Sequence, residues 1–355
     1  MKIRLWWKVL VMGMGMMLLP GCGTVAGISQ TGIVLALAVD PGPAGQYTWS
    51  FMFPNPTITP SSESSIKPSE EFYVLQAKAP SLMQAVEDVS ALTDRYVYLG
   101  DVQFVAVNVE FSASDVVHLM HLLINTGEFP PRAWVTMASP SAKAVLKTSP
   151  PEEVVPTVFL SNYFSCHVCH PVQLETRVWQ VWDDLLVPSH TAVIPLSVVH
   201  GRTLRISRSV WLTPCQIIKC SQSQTIDWAM AMGKYEKGAL MLPSGKENGF
   251  AESLRLSSSR QLTRVHRQVM AKWNLTLNGH WEAMGRSGRE QRLNQEAERL
   301  VLHHILQLYQ WAQKHHADPF GVINQEVWTS QATSSQIPPL EVTVHCRITP
   351  TARTG

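Results

Sequence analysis

Two cysteines and a histidine in the segment SCHVCHP, residues 165–171, have the spacing of a covalent cofactor site. In Cys166-x-x-Cys169-His170, each thiol could bond a haem vinyl group and the imidazole could ligate the iron, as in c-type haem attachment. The alternative is a buried or disulfide-linked cysteine pair. This is a single site in a proline-flanked connection, which favours the cysteine pair over an electron carrier.

A zinc site is the second metal chemistry that the cysteines suggest. Cys166 and Cys169 would supply two thiolates, and Cys215 and Cys220 the other two. The spacers, 45 residues between the pairs and four within the second, are loose for a tetrahedral site. We therefore expect no metal ion and no cofactor.

Histidines occur in three clusters that we interpret as structural. The adjacent pairs His303-His304 and His315-His316 cannot chelate one ion, because neighbouring residues on a helix point about 100° apart. His118 and His121 are spaced i, i+3 and share a helix face, but no third ligand is placed by the sequence.

No motif of an enzyme occurs in the chain. The G-x-S-x-G nucleophile motif and the phosphate-binding Walker loop are missing from the sequence, as is a paired-carboxylate motif in a recognisable context. Asp183-Asp184 follows Trp179 and Trp182 and is interpreted as the polar face of an amphipathic helix. We expect a protein without catalytic residues.

The charge balance excludes one class of partner. Twenty-nine basic and 27 acidic residues give a formal charge of +2, and the lysines and arginines form no stripe. Such a chain has no electrostatic footprint for nucleic acid.

The N-terminus has the pattern of a bacterial lipoprotein signal. Lys2, Arg4 and Lys8 precede an apolar run over residues 9–19, and Leu-Pro-Gly-Cys follows at 19–22. The pattern predicts a signal peptide over residues 1–21 and a Cys22 thiol that carries a diacylglyceryl group. The alternative, an uncleaved helix from Ile3 to about Leu19, is short for a bilayer span and is weakened by glycines and a proline.

Removing Cys22 leaves five cysteines for the body of the protein. In an oxidising compartment an odd number leaves at least one thiol outside any disulfide within the chain. The sequence leaves open how Cys166, Cys169, Cys215, Cys220 and Cys346 pair.

Strand and helix patterns alternate along the chain and must position these residues. Residues 31–40 and 46–56 predict a hairpin, and 72–79, 102–108 and 133–139 predict further strands. Helices are predicted after the caps Ser81 and Ser112, the latter with Asp115 three residues on. In the first of these helices, one apolar face is predicted to comprise Leu82, Ala85, Val86, Val89 and Leu92. The longest helix follows Ser287-x-x-Glu290 and is stopped by Asp318-Pro319, and residues 340–348 predict a last strand.

These elements predict an α+β fold with three domains, each a mixed or antiparallel sheet with packed helices, after the lipoprotein signal. The predicted bounds are 22–190 for an N-terminal α/β domain with a helical connection, 191–260 for a small β-rich middle domain, and 261–355 for a C-terminal α+β domain.

The order of several short motifs resembles one family. Ten residues after Cys22 comes GIV and then a strand that ends in Asp40. The motifs that follow are YVYLGDVQFVAVN at 96–108, GEFPPRAWVTMA at 127–138, HTAVIPL at 190–196, WAMAMGKYEKGALMLP at 228–243, Asp318-Pro319-Phe320-Gly321, Trp328 and the terminal RTG. Together they resemble the Ger(x)C family, the lipoprotein C subunits of nutrient germinant receptors of spore-forming bacteria.

The resemblance implies a function for the whole chain. A protein of this family would be a non-enzymatic lipoprotein on the outer face of the membrane that becomes the inner membrane of the spore. Its partners would be the polytopic A and B subunits of the receptor, and the membrane lipid through acylated Cys22. The alternative to this function is an extracytoplasmic haem or metal protein that uses Cys166, Cys169 and His170. The family that the chain resembles contains no haem, which favours the receptor subunit. The nutrient, the contact surface and any ligand of this subunit stay undetermined by the sequence.

Overall fold

The computed structural model describes residues 27, 30–43, 45–55, 71–151, 153, 155–186, 190–242, 249–265, 268–282, 290–323 and 338–350. The helices of this part are α1 Leu82–Ser90, α2 Ala113–Ile124, α3 Ala142–Leu146, α4 Pro156–Ser165, α5 Val178–Leu186, α6 Gln222–Ala231 and α7 Glu290–Lys314. The strands are β1 Thr31–Ile33, β2 Ala36–Pro41, β3 Tyr47–Pro54, β4 Phe72–Ala79, β5 Tyr96–Tyr98, β6 Phe104–Asn108, β7 Trp134–Ser139, β8 Ala192–His200, β9 Thr203–Leu212, β10 Ile217–Lys219, β11 Glu236–Leu242, β12 Gly249–Val265, β13 Gln268–Trp281 and β14 Leu340–Pro350.

An eight-stranded mixed sheet forms the larger layer, with the strand order β10-β9-β8-β7-β6-β2-β3-β4. Its centre, β2, β6, β7 and β8, is parallel, and antiparallel hairpins extend it on both sides. Parallel neighbours need crossover connections, and α2 supplies one between β6 and β7.

A four-stranded sheet of order β11-β12-β13-β14 forms the second layer. The long hairpin of β12 and β13 is antiparallel, and β14 pairs in parallel with β13 after the crossover through α7. Helix α7 covers this sheet with a buried stripe, consisting of Leu293, Ala297, Val301, Ile305, Leu308, Tyr309 and Ala312. A separate parallel pair joins β1 to β5.

Alternation along the central strands gives the large sheet two apolar faces. In β2, Leu37 and Val39 pack in the core beneath α1, α2 and α5, whereas Ala36 and Ala38 pack in the core beneath α3 and α4. Both faces are covered, so the central strands are apolar throughout, as is typical of parallel strands. The small alanines leave room for α3.

Strand β9 also connects the two sheets through its alternation. Val210 and Leu212 belong to the core of the eight-stranded sheet, and Trp211 between them belongs to the core of the four-stranded sheet. The ring of Trp211 lies 5.0 Å from that of Trp311 on α7. The side chains of one strand therefore contribute to both cores.

The α+β class predicted from the sequence is confirmed. The hairpin of β2 and β3, strand β4 and the caps of α1 and α2 lie where the patterns place them. Leu92, predicted on the buried face of the helix after Ser81, is 61% exposed, because α1 ends at Ser90. That single prediction is wrong.

The predicted domain boundaries stay a prediction. The eight-stranded sheet continues across residue 190, and β12 itself crosses residue 260. Strands of the segment 191–260 are shared between the two larger sheets. Cys22, the segment 57–70, Ser287, Trp328 and residues 353–355 lie outside the described residues. None of the helices described is both long and apolar enough to span a bilayer.

Asp40, at the end of β2, holds three elements together. Its Oδ1 accepts hydrogen bonds from Nδ2 of Asn108 and from the backbone N–H of Ala142, both at 2.7 Å. Its Oδ2 accepts from the N–H of Lys143 at 2.9 Å. The carboxylate thus joins β2 to the end of β6 and to the first turn of α3, where a negative charge is favourable.

Replacing Asp40 tests this role. In Asp40→Ala, two backbone N–H groups at the start of α3 and the amide of Asn108 lose their acceptor. We expect a loss of about 2–4 kcal/mol in the free energy of unfolding, measured by urea denaturation. Asp94→Ala, whose side chain is 96% exposed, is the control and should change stability by less than about 0.5 kcal/mol. Equal effects of the two substitutions would contradict the role of Asp40.

Candidate functional site

Cys166 and Cys169 form a disulfide, with their Cα atoms 5.4 Å apart. The imidazole of His170 stacks on the ring of Tyr163, with a centroid distance of 3.8 Å. Covalent haem attachment requires both thiols, so the alternative of a c-type haem at Cys166, Cys169 and His170 is wrong for this structure. The disulfide-linked pair is the arrangement observed.

The four-cysteine zinc site is excluded by the same bond. Cys215 is an exposed free thiol and Cys220 a buried one. Burial raises the pKa of Cys220 to about 12 and that of Cys346 also to about 12, so both stay protonated at neutral pH. In the part of the chain that the structure describes, no three His, Cys, Asp or Glu side chains are placed to hold a metal ion.

The clustered histidines have structural neighbours. His118 lies over the ring of Tyr47, and His121 lies 5.5 Å from the ring of Trp182. Nδ1 of His304 lies 3.3 Å from Oδ1 of Asp227. The interpretation of these side chains as structural agrees with their contacts.

A cavity of about 670 Å³ lies where the two large sheets meet. Helix α5 and the residues before it form one wall, and the end of α6, the residues after it and β12 form another. The start of β8 and the turn after α7 complete the cavity. Its lining comprises Glu175, Thr176, Trp179, Gln180, Asp183, Asp184, His190, Thr191, Val193, Trp228, Met232, Lys234, Ser258, Arg260, Pro319, Phe320 and Gly321.

Asp318 anchors the turn after α7 against the start of β8. It is fully buried and forms a backbone bridge with His190, and its N–H donates to Oγ1 of Thr191 at 2.8 Å. Its Oδ2 accepts from the N–H of Ile323 at 2.7 Å. Oδ1 of Asp318 accepts no hydrogen bond from the described residues.

The next residues bring the turn into contact with the opposite wall. The carbonyl of Pro319 accepts from the indole of Trp228 at 2.9 Å, and that of Phe320 accepts from Arg260 at 3.1 Å. The ring of Phe320 packs 4.9 Å from that of Trp273. Gly321 has φ +65°, and a Cβ there would lie 3.3 Å from Nε2 of His190. The turn therefore requires a glycine.

The acidic wall of the cavity lies on α5. Asp183 and Asp184 line it, with Trp179 four residues before Asp183 and therefore on the same helix face. Nδ1 of His190 lies 3.1 Å from Oδ1 of Asp184. Burial alone would lower the pKa of His190, but the contact with Asp184 and the charges of Asp184, Asp318 and Asp183 raise it above its ordinary value. Burial raises the pKa of Asp318.

The opposite wall carries two cations. Lys234 lies with Nζ 5.3 Å from the ring centroid of Trp228, and burial lowers the pKa of its ammonium. Arg260 donates from Nη1 to Phe320. Among the described residues, neither cation has a carboxylate within ion-pair distance. The cavity thus has cationic and anionic walls that face a common space.

Sequence reasoning missed most of this site. Asp183-Asp184 was interpreted only as a polar helix face, and Asp318-Pro319 only as a helix stop within a family motif. His190, Lys234 and Arg260 are separated by up to 70 residues in the sequence, and no periodicity connects them. The one local signal is the glycine at 321 after Asp-Pro-Phe, which indicates a tight turn.

Comparisons with known proteins relate part of the chain to one family. Residues 26–198 match the family model of the spore germination protein N-terminal domain. This match supports the resemblance of the chain to the Ger(x)C family. A crystal structure of the GerBC protein matches with a TM-score of 0.53 and 13% identity, over 88% of this chain and 96% of that chain. At that identity the likeness shows the fold alone. No curated protein matches the chain significantly.

The Asp318–Gly321 turn is open to a direct test. Gly321→Ala places a side chain at φ +65° next to His190, so we expect a loss of about 1–2 kcal/mol in the free energy of unfolding. Gly127→Ala, where a Cβ meets nothing within 4 Å and φ is not positive, is the matched control. Urea denaturation of both variants measures the difference, and an unaffected Gly321→Ala would show that the turn does not need glycine.

The raised pKa of His190 predicts a pH dependence of stability. Because the folded protein binds the proton more tightly than the unfolded chain, the stabilisation is complete below the ordinary pKa of 6.5 and is lost as pH rises through the folded-state pKa. Free energies of unfolding from about pH 6 to pH 9 should therefore fall more steeply for the wild type than for His190→Gln. His200→Gln, which removes an exposed imidazole at the last residue of β8, is the control. Parallel curves for wild type and His190→Gln would refute the assignment.

Proposed function

We propose that this protein is the membrane-anchored lipoprotein C subunit of a spore nutrient germinant receptor, and that it acts through protein contacts and not as an enzyme. The observation that carries the proposal is the match of residues 26–198 to the spore germination protein N-terminal domain. The α+β fold shared with the GerBC protein along most of both chains supports it.

The anchor in this proposal is the acylated Cys22. A basic head, a short apolar run and a small residue before the cysteine support lipidation at that thiol. Two or three acyl chains hold a protein body stably at a bilayer, whereas one chain does not. The protein would lie on the outer face of the cell membrane and, in the spore, at the inner membrane.

The length of chain after the anchor limits how far the body can lie from the lipid. Strand β1 starts at Thr31, nine residues after Cys22 (31 − 22). A fully extended chain of that length spans at most about 30 Å. The part of the protein that carries the paired strands β1 and β5 would therefore lie close to the membrane. The proposed partners, the polytopic A and B subunits, reside in that membrane.

Cys22→Ala tests the anchor. Without the thiol no acyl chain is attached, so we expect the protein to move from the membrane to the soluble fraction of sporulating cells and to lose incorporation of labelled palmitate. Fractionation with an alkaline wash and mass spectrometry of the N-terminus measure both effects. Cys215→Ala removes another exposed thiol and should leave the protein in the membrane fraction.

Retention of Cys22→Ala in the washed membranes would overturn the lipid anchor. The receptor role has its own test, which is germination of a deletion strain across a panel of amino acids, sugars and salts. Loss of the response to a nutrient, restored by the wild-type gene, supports the proposal. A deletion strain that germinates normally with every nutrient would contradict it.

A further inference from the structure

The cavity between the two sheets separates charge in a way that selects a ligand class. Asp183 and Asp184 lie on the α5 wall, and Lys234 and Arg260 lie on the facing wall. A site of about 670 Å³ falls in the range of small-molecule pockets, and its aromatic side chains are typical of them. We propose that this cavity binds a small zwitterion, with its carboxylate at Lys234 and Arg260 and its ammonium group at Asp183 beside Trp179.

The side chains of the cationic wall have no carboxylate within ion-pair distance among the described residues, and Glu175 and Asp184 act on Lys234, and Asp318 on Arg260, only from farther away. Nη1 of Arg260 donates to the carbonyl of Phe320 and contacts Sδ of Met232. Among the described residues, no group accepts a hydrogen bond from its Nε or Nη2. Lys234 contacts the face of Trp228 and has no carboxylate partner in the same part of the chain. Lys234 is half-buried and Arg260 is exposed. A half-buried ammonium group is costly without an anion, and a bound carboxylate would accept charge-assisted hydrogen bonds from both side chains.

The acidic wall is arranged for a cation. Trp179 and Asp183, at i and i+4 on α5, present a 46%-exposed indole and an exposed carboxylate toward the same space. An aromatic face next to a carboxylate is the combination that binds an ammonium group. Oδ1 of Asp184 lies 3.1 Å from Nδ1 of His190, and Oε2 of Glu175 lies 3.4 Å from Nδ1 of His167. Among the described residues, Asp183 is therefore the carboxylate of this wall without an imidazole or a cation within ion-pair distance.

The cationic wall is held in place by the turn after α7. Arg260 is fixed through Phe320, and Trp228 through Pro319, while Asp318 fixes the turn to the start of β8. The site is therefore built on hydrogen-bonded main chain between two sheets, and it needs little rearrangement to accept a ligand. A group with only one charge would leave one wall without a partner.

This inference deepens the proposed function, because it places ligand recognition in this subunit. Binding of a zwitterion is argued from the cavity alone, and only the role of that ligand in germination rests on the proposed function. The test uses the full chain in detergent and isothermal titration with the proteinogenic α-amino acids as probes. We expect at least one to bind with a Kd below about 1 mM. For that probe, the analogue without the amino group and the analogue without the carboxyl group should each bind at least about tenfold more weakly.

Variants locate the site on the two walls. Lys234→Met, Arg260→Gln and Asp183→Asn should each weaken binding by about tenfold or more, whereas Lys234→Arg should retain it. Lys272→Met, at a half-buried lysine that pairs with Glu341 away from the cavity, is the matched control and should bind as the wild type does. Thermal unfolding checks each variant. Asp183 is exposed, so Asp183→Asn tests the site even where Lys234→Met fails to fold.

Three results would overturn the inference: no amino acid binds, the carboxylate-only analogue binds as tightly as the zwitterion, or the wall variants bind as the wild type does. The outcome is separable from that of the proposed function. Failure here with Cys22-dependent membrane attachment intact overturns the cavity assignment alone. If an amino acid binds as expected but membrane attachment does not depend on Cys22, the lipid anchor is overturned and the cavity assignment stands.

Discussion

Asp318 is a carboxyl group with no exposed surface, at the point where the longest helix ends and the two sheets meet. Its N–H, its Oδ2 and its backbone bridge to His190 fix the end of α7 to the start of β8. Burying such a group is costly unless its hydrogen bonds are made, and Oδ1 lacks one among the described residues. The carboxyl therefore holds a position that an apolar residue would fill at lower cost, and what it stabilises is the path of the turn from 318 to 321.

The cavity follows from that turn. Phe320 enters the aromatic core beside Trp273 and Tyr309, so the main chain before and after it passes along the rim, and its carbonyls accept from Trp228 and Arg260. Two apolar cores close on either side, while the polar groups of α5 and β12 remain between them. Charged side chains that cannot enter either core keep this junction open to solvent.

The sequence allowed the elements to be predicted well and the junction hardly at all. Periodicity and caps are local, so β4, the hairpin of β2 and β3, and the starts of α1 and α2 could be placed from neighbouring residues. The pairing of β6 with β2, of β8 with β7 and of β14 with β13 depends on contacts between distant segments, which alternation does not specify. Lys234 and Arg260 face Asp183 across the cavity only because the two sheets pack against each other, so no spacing rule could have grouped them.

The Cys-x-x-Cys-His segment also shows that local sequence does not determine a site. Its pattern is that of c-type haem attachment, but the structure around it does not allow a haem to bind there. Covalent haem attachment requires two free thiols and an imidazole open to the iron. In the fold, α4 ends at Ser165, the sulfurs of the next two cysteines bond to each other, and the histidine ring lies flat on Tyr163. The cavity at this segment is about 10 Å³, which holds no more than a water molecule. A motif fixes which groups are adjacent along the chain, but the space and the bonding partners that its chemistry needs are set by the packing around it.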